Sequence, residues 1–197
     1  MAAQYSTLLI GGSGTIGSGL RTYMPRLDAR YRIVSLDLPG ARDKANEDDA
    51  QRAFIELDLC EDPEALGALL ADYDLVVYLA RKNPLQEMNA MTDLVFEAVI
   101  RQEKPPMMVA SSSVHAVDGL YSFNDEDSVY WPMADRNFDA VNPWPERISA
   151  KTPAHAPNDY AREKEYAEQW CQKMADQGHS AVAALGCGIN EHTAFVE

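Results

Sequence analysis

A tyrosine and a lysine lie four residues apart in the segment NDYAREKEYAEQWCQKM. On a helix, Tyr160 and Lys164 share one face. The same stripe continues through Ala167, Cys171 and Met174, which predicts that the lysine faces the core. A cation close to a phenol stabilises the phenolate, the form in which tyrosine acts as a general base, so the pair indicates proton transfer. The alternative is an amphipathic helix whose lysine extends outward to solvent.

A run of three serines supplies further polar groups. In MMVASSSVHAVDG, the serines follow the apolar run of a predicted strand. Because ligands of open α/β sheets bind at the carboxyl ends of the strands, a serine there could orient a substrate hydroxyl or carbonyl. We favour Ser113 for that role, with Ser112 as the close alternative. Serine hydroxyls that bond their own backbone in a turn also explain such a run.

Four glycines follow the first apolar run, in LLIGGSGTIG. They fit two overlapping spacings, Gly12-x-Gly14-x-x-Gly17 and Gly11-x-x-Gly14-x-x-Gly17, between a predicted strand and a predicted helix. Without side chains, the backbone can turn tightly and approach a pyrophosphate, whose charge the N–H groups at the helix start would hold. An ordinary tight turn is the alternative, but strand, glycines and helix in this order favour a dinucleotide site.

An acidic residue lies where a dinucleotide site requires one. Asp37 ends the second predicted strand, about 20 residues after the glycines, and is positioned to bind the adenosine ribose hydroxyls. Its carboxylate would repel the extra phosphate of NADP, so we predict NAD as the cofactor. Arg42 is the alternative feature, because it could accommodate that phosphate.

These groups need a scaffold, and the pattern of apolar runs predicts one. Runs separated by helical segments are typical of a parallel sheet covered on both faces, so we predict an α/β doubly wound parallel sheet, a Rossmann fold. The chain is interpreted as a single domain, residues 1–197, with a long irregular insert at about 115–157 that forms a binding loop or lid. The predicted strands are Thr7–Ile10, Arg32–Leu36, Ala53–Leu57, Leu75–Leu79, Met107–Ala110 and Ala181–Leu185. The predicted helices are Thr15–Met24, stopped by Pro25, Pro63–Leu70, Glu87–Arg101, and Tyr160–Gln177 with Asn158 or Asp159 as its cap.

Composition excludes several classes of partner. The net charge of −14, from 17 basic and 31 acidic residues, disfavours nucleic acids and anionic membranes. Three distant cysteines form neither a disulfide framework nor a metal knuckle, and the four histidines have no ligand spacing, so we predict no metal site. Without a signal segment or a long apolar stretch, a cytoplasmic protein is expected.

Glycine turn, strand-end aspartate, serine and Tyr-x-x-x-Lys, in this order, resemble the extended branch of the short-chain dehydrogenase/reductase superfamily, the NAD-dependent epimerase/dehydratase family. The resemblance implies that Tyr160 moves the proton of a substrate hydroxyl, that Lys164 holds the nicotinamide ribose, and that Ser113 steadies the substrate oxygen. It also implies which residues contact NAD: Gly11, Gly14, Thr15, Ile16, Gly17, Asp37, Asp58, Leu59, Leu79, Ala80, Asn89, Tyr160 and Lys164.

The implied activity is that of an NAD-dependent oxidoreductase or epimerase/dehydratase acting on a sugar, sugar acid or nucleotide sugar, in a homodimer. The stretch ASSSVHAVDGLY is also similar to uronate dehydrogenases, with Val114 where they have an asparagine. Family members continue into a C-terminal substrate portion, which is largely absent after Leu185. A non-catalytic NAD-binding protein, or an inactive family member, is therefore the alternative. Arg81 and Lys82 are expected to be surface charges, with binding of a substrate carboxylate or phosphate as the alternative.

Overall fold

A six-stranded parallel sheet organises the chain. The computed structural model describes residues 4–41, 54–116, 129–141 and 156–186. The strand order across the sheet is β3-β2-β1-β4-β5-β6, and every neighbouring pair is parallel. This confirms the doubly wound Rossmann fold, in which the strand order reverses between β1 and β4. The strands are β1 (Tyr5–Ile10), β2 (Tyr31–Asp37), β3 (Phe54–Glu56), β4 (Leu75–Tyr78), β5 (Met107–Ser113) and β6 (Ala181–Gly186).

The four predicted helices are present; one of them, Pro63–Leu70, has its predicted limits, and the other three have shifted ends. They are α1 (Thr15–Leu27), α2 (Pro63–Leu70), α3 (Leu85–Ile100) and α5 (Asp159–Asp176); a short additional helix, α4, spans Tyr130–Ala134. Pro25 was expected to stop α1, and that prediction is wrong. A proline this close to a helix end removes only one backbone hydrogen bond, and the N–H of Asp28 still closes the last turn on the Met24 carbonyl at 2.9 Å.

The predicted insert is described only in part. Between residues 115 and 157 the described residues include α4 and two turns of 3-10 helix, Val114–Ala116 and Phe138–Ala140. These pieces are more regular than the expected irregular loop. Arg42 and Ala53, which were predicted to matter for cofactor choice and for the third strand, lie outside the described residues. None of the described helices is long and apolar enough to cross a membrane.

The core lies on both sides of the central strand. Leu8, Leu9 and Ile10 of β1 are fully buried, as expected for a strand covered on both faces. On one side α3 packs against α5, where the Phe96 ring stacks on Trp170 with 5.6 Å between centroids. Sheet and helices thereby bring the carboxyl ends of the strands to one edge, where the predicted functional residues lie.

The start of α5 matters for the site. The Asn158 side chain accepts the N–H of Ala161 at 3.0 Å, so Asn158 is the cap and Asp159 is the first helical residue. The predicted stripe of Ala167, Cys171 and Met174 is buried, and Lys164 on the same face is 6% exposed. The prediction that this lysine faces the core is confirmed, and the outward orientation is excluded.

Candidate functional site

The glycine turn joins β1 to α1, and three of its glycines, Gly11, Gly12 and Gly17, are required by packing. A Cβ on Gly12 would lie 2.7 Å from the Ser35 Cβ. Gly11 has φ +80, and a Cβ there would lie 2.5 Å from the Cα of Ala80. A Cβ on Gly17 would lie 2.6 Å from the carbonyl carbon of Gly12. Gly11 and Gly17 therefore allow backbone to approach backbone, at the turn itself and where α1 meets it.

Gly14 is different, because packing does not require it. A Cβ at this position would meet only the Gly11 carbonyl oxygen, at an ordinary 3.8 Å, and φ is −71. Gly14 caps α1 without a side-chain hydrogen bond. The first-turn N–H groups are thus left for another acceptor, which is the arrangement that binds phosphate at a helix start. Thr15 and Ile16 lie in this same first turn, and both are exposed.

The predicted Asp37 and two side chains that were not predicted, Ser13 and Arg21, hold the turn in place. Asp37 accepts the backbone N–H of Ser13 at 2.9 Å and also the Ser13 hydroxyl, which ties the turn to the end of β2. Arg21, only 2% exposed, donates to the Gly12 carbonyl and to the Ser35 hydroxyl, the latter at 3.0 Å. Ser13 occupies a variable position of the glycine spacing, where sequence alone gave no reason to single it out.

A cavity of about 330 Å³ opens beside the turn, at the ends of β1 to β4. Its size falls in the range of small-molecule sites. The lining combines the glycine turn with the strand-end acid Asp37, which are the groups that a pyrophosphate and a ribose require, so these residues fit a dinucleotide. The predicted residues that line it are Gly11, Gly14, Asp37, Asp58, Leu59, Leu79 and Ala80, and those not predicted to contact a cofactor include Ser13, Cys60, Arg81 and Lys82.

Other predicted cofactor residues do not line this cavity. Gly17 supports the turn from inside α1, while Tyr160 and Lys164 belong to the neighbouring cluster described below. Asn89, on α3, has a buried side-chain oxygen without a hydrogen-bond partner among the described residues. A buried polar atom of this kind usually has a partner, so Asn89 retains the capacity to accept a hydrogen bond from a ligand.

Tyr160 lies at the start of α5 among basic side chains. The guanidinium carbon of Arg81 is 4.7 Å from the centre of its ring, and the Nζ atom of Lys164 is 5.4 Å from it. The ring of His115 meets the same ring edge-on, with 5.7 Å between centroids. Arg81 also lines the cavity, so the cavity and the Tyr160 cluster adjoin each other.

A buried carboxylate connects the two cations. Glu163 is 2% exposed; one of its oxygens lies 3.2 Å from the Lys164 Nζ, and both accept the Arg81 Nε–H, at 2.9 and 3.0 Å. The Arg81 side chain is 47% exposed, as expected of a surface charge, and it also pairs with this buried group. A carboxylate so deeply buried requires such partners. The neighbouring Lys82 pairs with Glu87 at 3.3 Å, and this hydrogen bond raises the pKa of Lys82.

The three serines of β5 have different partners. Ser111 accepts a hydrogen bond from Lys164 at 3.3 Å, Ser112 bonds to Glu168, and the Ser113 hydroxyl accepts the N–H of His115 at 3.3 Å. Ser111 and Ser112 both contact α5, so these contacts do not separate Ser113 from Ser112 as the predicted serine. The serine that contacts Lys164 is neither of the two predicted.

No metal centre is visible in the described ranges, since no three histidine, cysteine or acidic residues there are grouped to hold an ion.

The candidate site has two adjoining parts. One is a cavity with a glycine turn at a helix start and a strand-end acid. The other is a phenol beside a buried ammonium, a buried carboxylate and a half-exposed guanidinium.

Solved structures share this fold. The dTDP-glucose 4,6-dehydratase of Bacillus anthracis, in complex with NAD, has a TM-score of 0.65 at 17% identity, covering 92% of this chain and 54% of that one. A partial-consensus L-threonine 3-dehydrogenase gives 0.63 at 18% identity, covering 91% and 53%. The UDP-glucose 4-epimerase of Thermotoga maritima, with UDP-glucose, gives 0.60 at 17% identity, covering 89% and 53%. The chain thus spans little more than half the length of these structures.

A search of curated protein sequences finds no match to this chain. Residues 7–188 match the model described as the NAD dependent epimerase/dehydratase family, from within β1 to just beyond β6, and therefore across the cavity and the Tyr160 cluster. By this match, the chain belongs to the NAD dependent epimerase/dehydratase family.

Proposed function

We propose that the chain binds NAD in the cavity and acts as an oxidoreductase or epimerase/dehydratase on a sugar, sugar acid or nucleotide sugar. The observation that carries the proposal is that one residue, Arg81, both lines the cavity and lies over Tyr160. A site for a dinucleotide and a site for proton transfer are thereby neighbours at one sheet edge. When bound, NAD supplies the acceptor or donor of a hydride.

The residues of the chain would divide the work. The first-turn N–H groups of α1 hold the pyrophosphate and Asp37 holds the adenosine ribose. Tyr160 moves a proton to or from a substrate hydroxyl, while Ser113 steadies the substrate oxygen. The ammonium of Lys164 lies 5.4 Å from the centre of the Tyr160 ring, and it offers a donor to the nicotinamide ribose.

A second candidate function is binding of NAD without turnover. The observation in its favour is that, within the described ranges, Lys164 already bonds to Glu163 and Ser111, which occupies two of its three donors. A screen of sugars and sugar acids for NAD reduction separates the two functions, because only an enzyme would produce NADH. We also propose a homodimer, because of the resemblance to the family, and a cytoplasmic location, because of the cysteine pattern.

The direct test of the proposal is a titration with NADH. A folded protein with this cavity is expected to bind NADH and to enhance the fluorescence of the cofactor. If a protein shown to be folded by circular dichroism gives no binding, the proposed function is refuted in both its catalytic and its non-catalytic form.

Cys60 offers a check on where the cofactor binds. Its thiol is exposed and lines the cavity, so we expect alkylation of Cys60 to slow about tenfold when NADH is present at about ten times its Kd, since only free protein then reacts. Cys171 is an internal control. Burial raises the pKa of the Cys171 thiol to about 11, so about one molecule in a thousand carries the reactive thiolate near pH 8. Peptide mass spectrometry measures each cysteine separately, and unprotected Cys60 at saturating NADH would place the cofactor elsewhere.

Asp37 is expected to select against NADPH. Placing the ribose phosphate of NADPH beside this carboxylate sets two negative charges together, so NADH should bind at least about tenfold more tightly. Asp37→Asn keeps an acceptor for the Ser13 N–H but removes the negative charge. We therefore expect this variant to bind NADH and NADPH with more similar dissociation constants. Fluorescence titrations with both cofactors measure the ratio, and equal preference in the unchanged protein would contradict the assignment.

A further inference from the structure

Arg81 is the cation of the Tyr160 cluster that faces outward. We propose that Arg81 binds a carboxylate or phosphate group of the substrate, and that Glu163 is the positioning residue that holds it for this purpose. The proposal rests on the proposed function and deepens it, because it specifies an anionic substrate.

The first argument is the geometry of the guanidinium. Its Nε–H is directed at the buried Glu163 carboxylate, which fixes the plane of the group. Within the described parts of the chain, neither terminal nitrogen of Arg81 makes a hydrogen bond, and the side chain is 47% exposed. A guanidinium offers five N–H donors in a planar fork that matches carboxylate and phosphate oxygens. The donors that Glu163 does not use are thus available at the surface.

The second argument is pre-organisation. An arginine on a free surface must be immobilised when it binds a ligand, and that loss of freedom weakens binding. Arg81 is already held from one side by Glu163 and packs over the Tyr160 ring at 4.7 Å. A plain surface charge would need neither contact, whereas an anion receptor next to the reacting group benefits from both.

The third argument is charge. The chain carries a net charge of −14, yet Arg81, Lys164 and Glu163 together sum to +1 beside Tyr160. Lys82, next in sequence, adds another cation at the rim, although Glu87 pairs with it. An anionic substrate is repelled by most of this protein's surface and attracted at this cluster, so the charge distribution directs it to Tyr160.

The experiment compares three probes with the NAD-loaded protein by isothermal titration calorimetry. D-glucuronate carries a carboxylate, D-glucose 6-phosphate carries a phosphate, and D-glucose carries no charge. We expect at least one anionic sugar to bind about tenfold to a hundredfold more tightly than D-glucose, which is the range of a charge-assisted pair of hydrogen bonds. The anionic sugar that binds more tightly than D-glucose reveals whether the site prefers a carboxylate or a phosphate.

Variants then assign the gain to Arg81. Arg81→Gln is titrated at a NAD concentration that saturates the variant, and it should remove the advantage in affinity of the anionic sugar over D-glucose. Arg81→Lys keeps a cation for Glu163 in case the first variant misfolds, but a single ammonium cannot serve Glu163 and the substrate as the fork does, so the advantage should still fall. Arg162→Gln is the matched control. Arg162, on α5, is also an exposed arginine paired with a carboxylate, that of Asp159, but among the described residues its guanidinium does not contact the Tyr160 ring or pair with Glu163. This variant should bind all three sugars as the unchanged protein does.

Three results would overturn the proposal. The first is equal binding of charged and neutral sugars by the unchanged protein. The second is an anionic preference that survives in both Arg81 variants. The third is a loss of NADH affinity in Arg81→Lys, which would assign Arg81 to the cofactor. Failure of the proposed function looks different, because the unchanged protein would then fail to bind NADH at all.

Discussion

Tyr160→Phe is expected to bind NADH as tightly as the unchanged protein and to turn over about a hundredfold to ten-thousandfold more slowly. The substitution removes only the hydroxyl group that would exchange the proton, and general acid–base catalysis typically contributes that factor. The ring remains, and with it the contacts to Arg81 and His115. The measurement pairs a fluorescence titration with the rate of NADH formation on a substrate found in the sugar screen.

Tyr166→Phe is the matched control for this prediction. Tyr166 lies on the same helix, but its hydroxyl donates to Asp93 at 2.5 Å, and this hydrogen bond raises the pKa of Tyr166. The group is thus less suited to act as a base, and we expect its removal to leave turnover within about twofold, with at most about 1 kcal/mol lost in stability. Equal rates for Tyr160→Phe and the unchanged protein would mean that another group is the base.

Gly17→Ala is expected to lower the free energy of unfolding by about 2 kcal/mol or more. The added Cβ would overlap the Gly12 carbonyl group, and because both partners are backbone, neither can rotate away. Gly67→Ala is the comparison, since Gly67 lies inside α2 with no atom within 4 Å of its built Cβ. A helix interior favours alanine over glycine by about 0.5–1 kcal/mol, so this variant should be stabilised. Urea unfolding curves measure both changes.

Gly14→Ala separates folding from cofactor binding. Its Cβ has room in the protein itself, so the unfolding free energy should stay within about 0.5 kcal/mol, whereas NADH affinity should fall because the side chain intrudes where the phosphate approaches. If Gly14→Ala binds NADH unchanged, the helix start does not hold the phosphate. A large loss of stability in this variant would instead show that the turn has no spare space.

Most of the scaffold could be predicted because it depends on local pattern. The strands follow from apolar runs, and α2 was predicted at its observed limits because Asp62 caps it and Pro63 begins it. The end of α1 could not be predicted, since whether a proline stops a helix depends on how close to its end the proline lies. Of the site, the glycine turn, Asp37 and the inward face of Lys164 were accessible, because each depends on spacing within one or two adjacent elements.

The pairing of Arg81 with Glu163 was not accessible in this way, although Arg81 was considered as a ligand of a substrate carboxylate or phosphate. The two residues lie 82 positions apart, and only the packing of α5 against β5 and β6 brings the carboxylate to the guanidinium. In the sequence, Glu163 looks like one of several charged residues on a polar helix segment. Its burial depends on the two cations that compensate it, so neither partner could be recognised without the other.

The sheet order also sets when the pieces come together during folding. β1 can pair with β2 as soon as β2 is present. Its other edge pairs with β4, which follows β2 and β3 in the chain, so this pairing can form only later. Such non-local parallel pairing is slow, because the entropy of closing the intervening loop precedes the gain from contacts. Gly11 packs on Ala80, just after β4, so the turn reaches its final surroundings only then. The earliest motif in the chain is therefore among the later parts of the fold to reach its final structure, and newly made N-terminal segments would have no finished glycine turn.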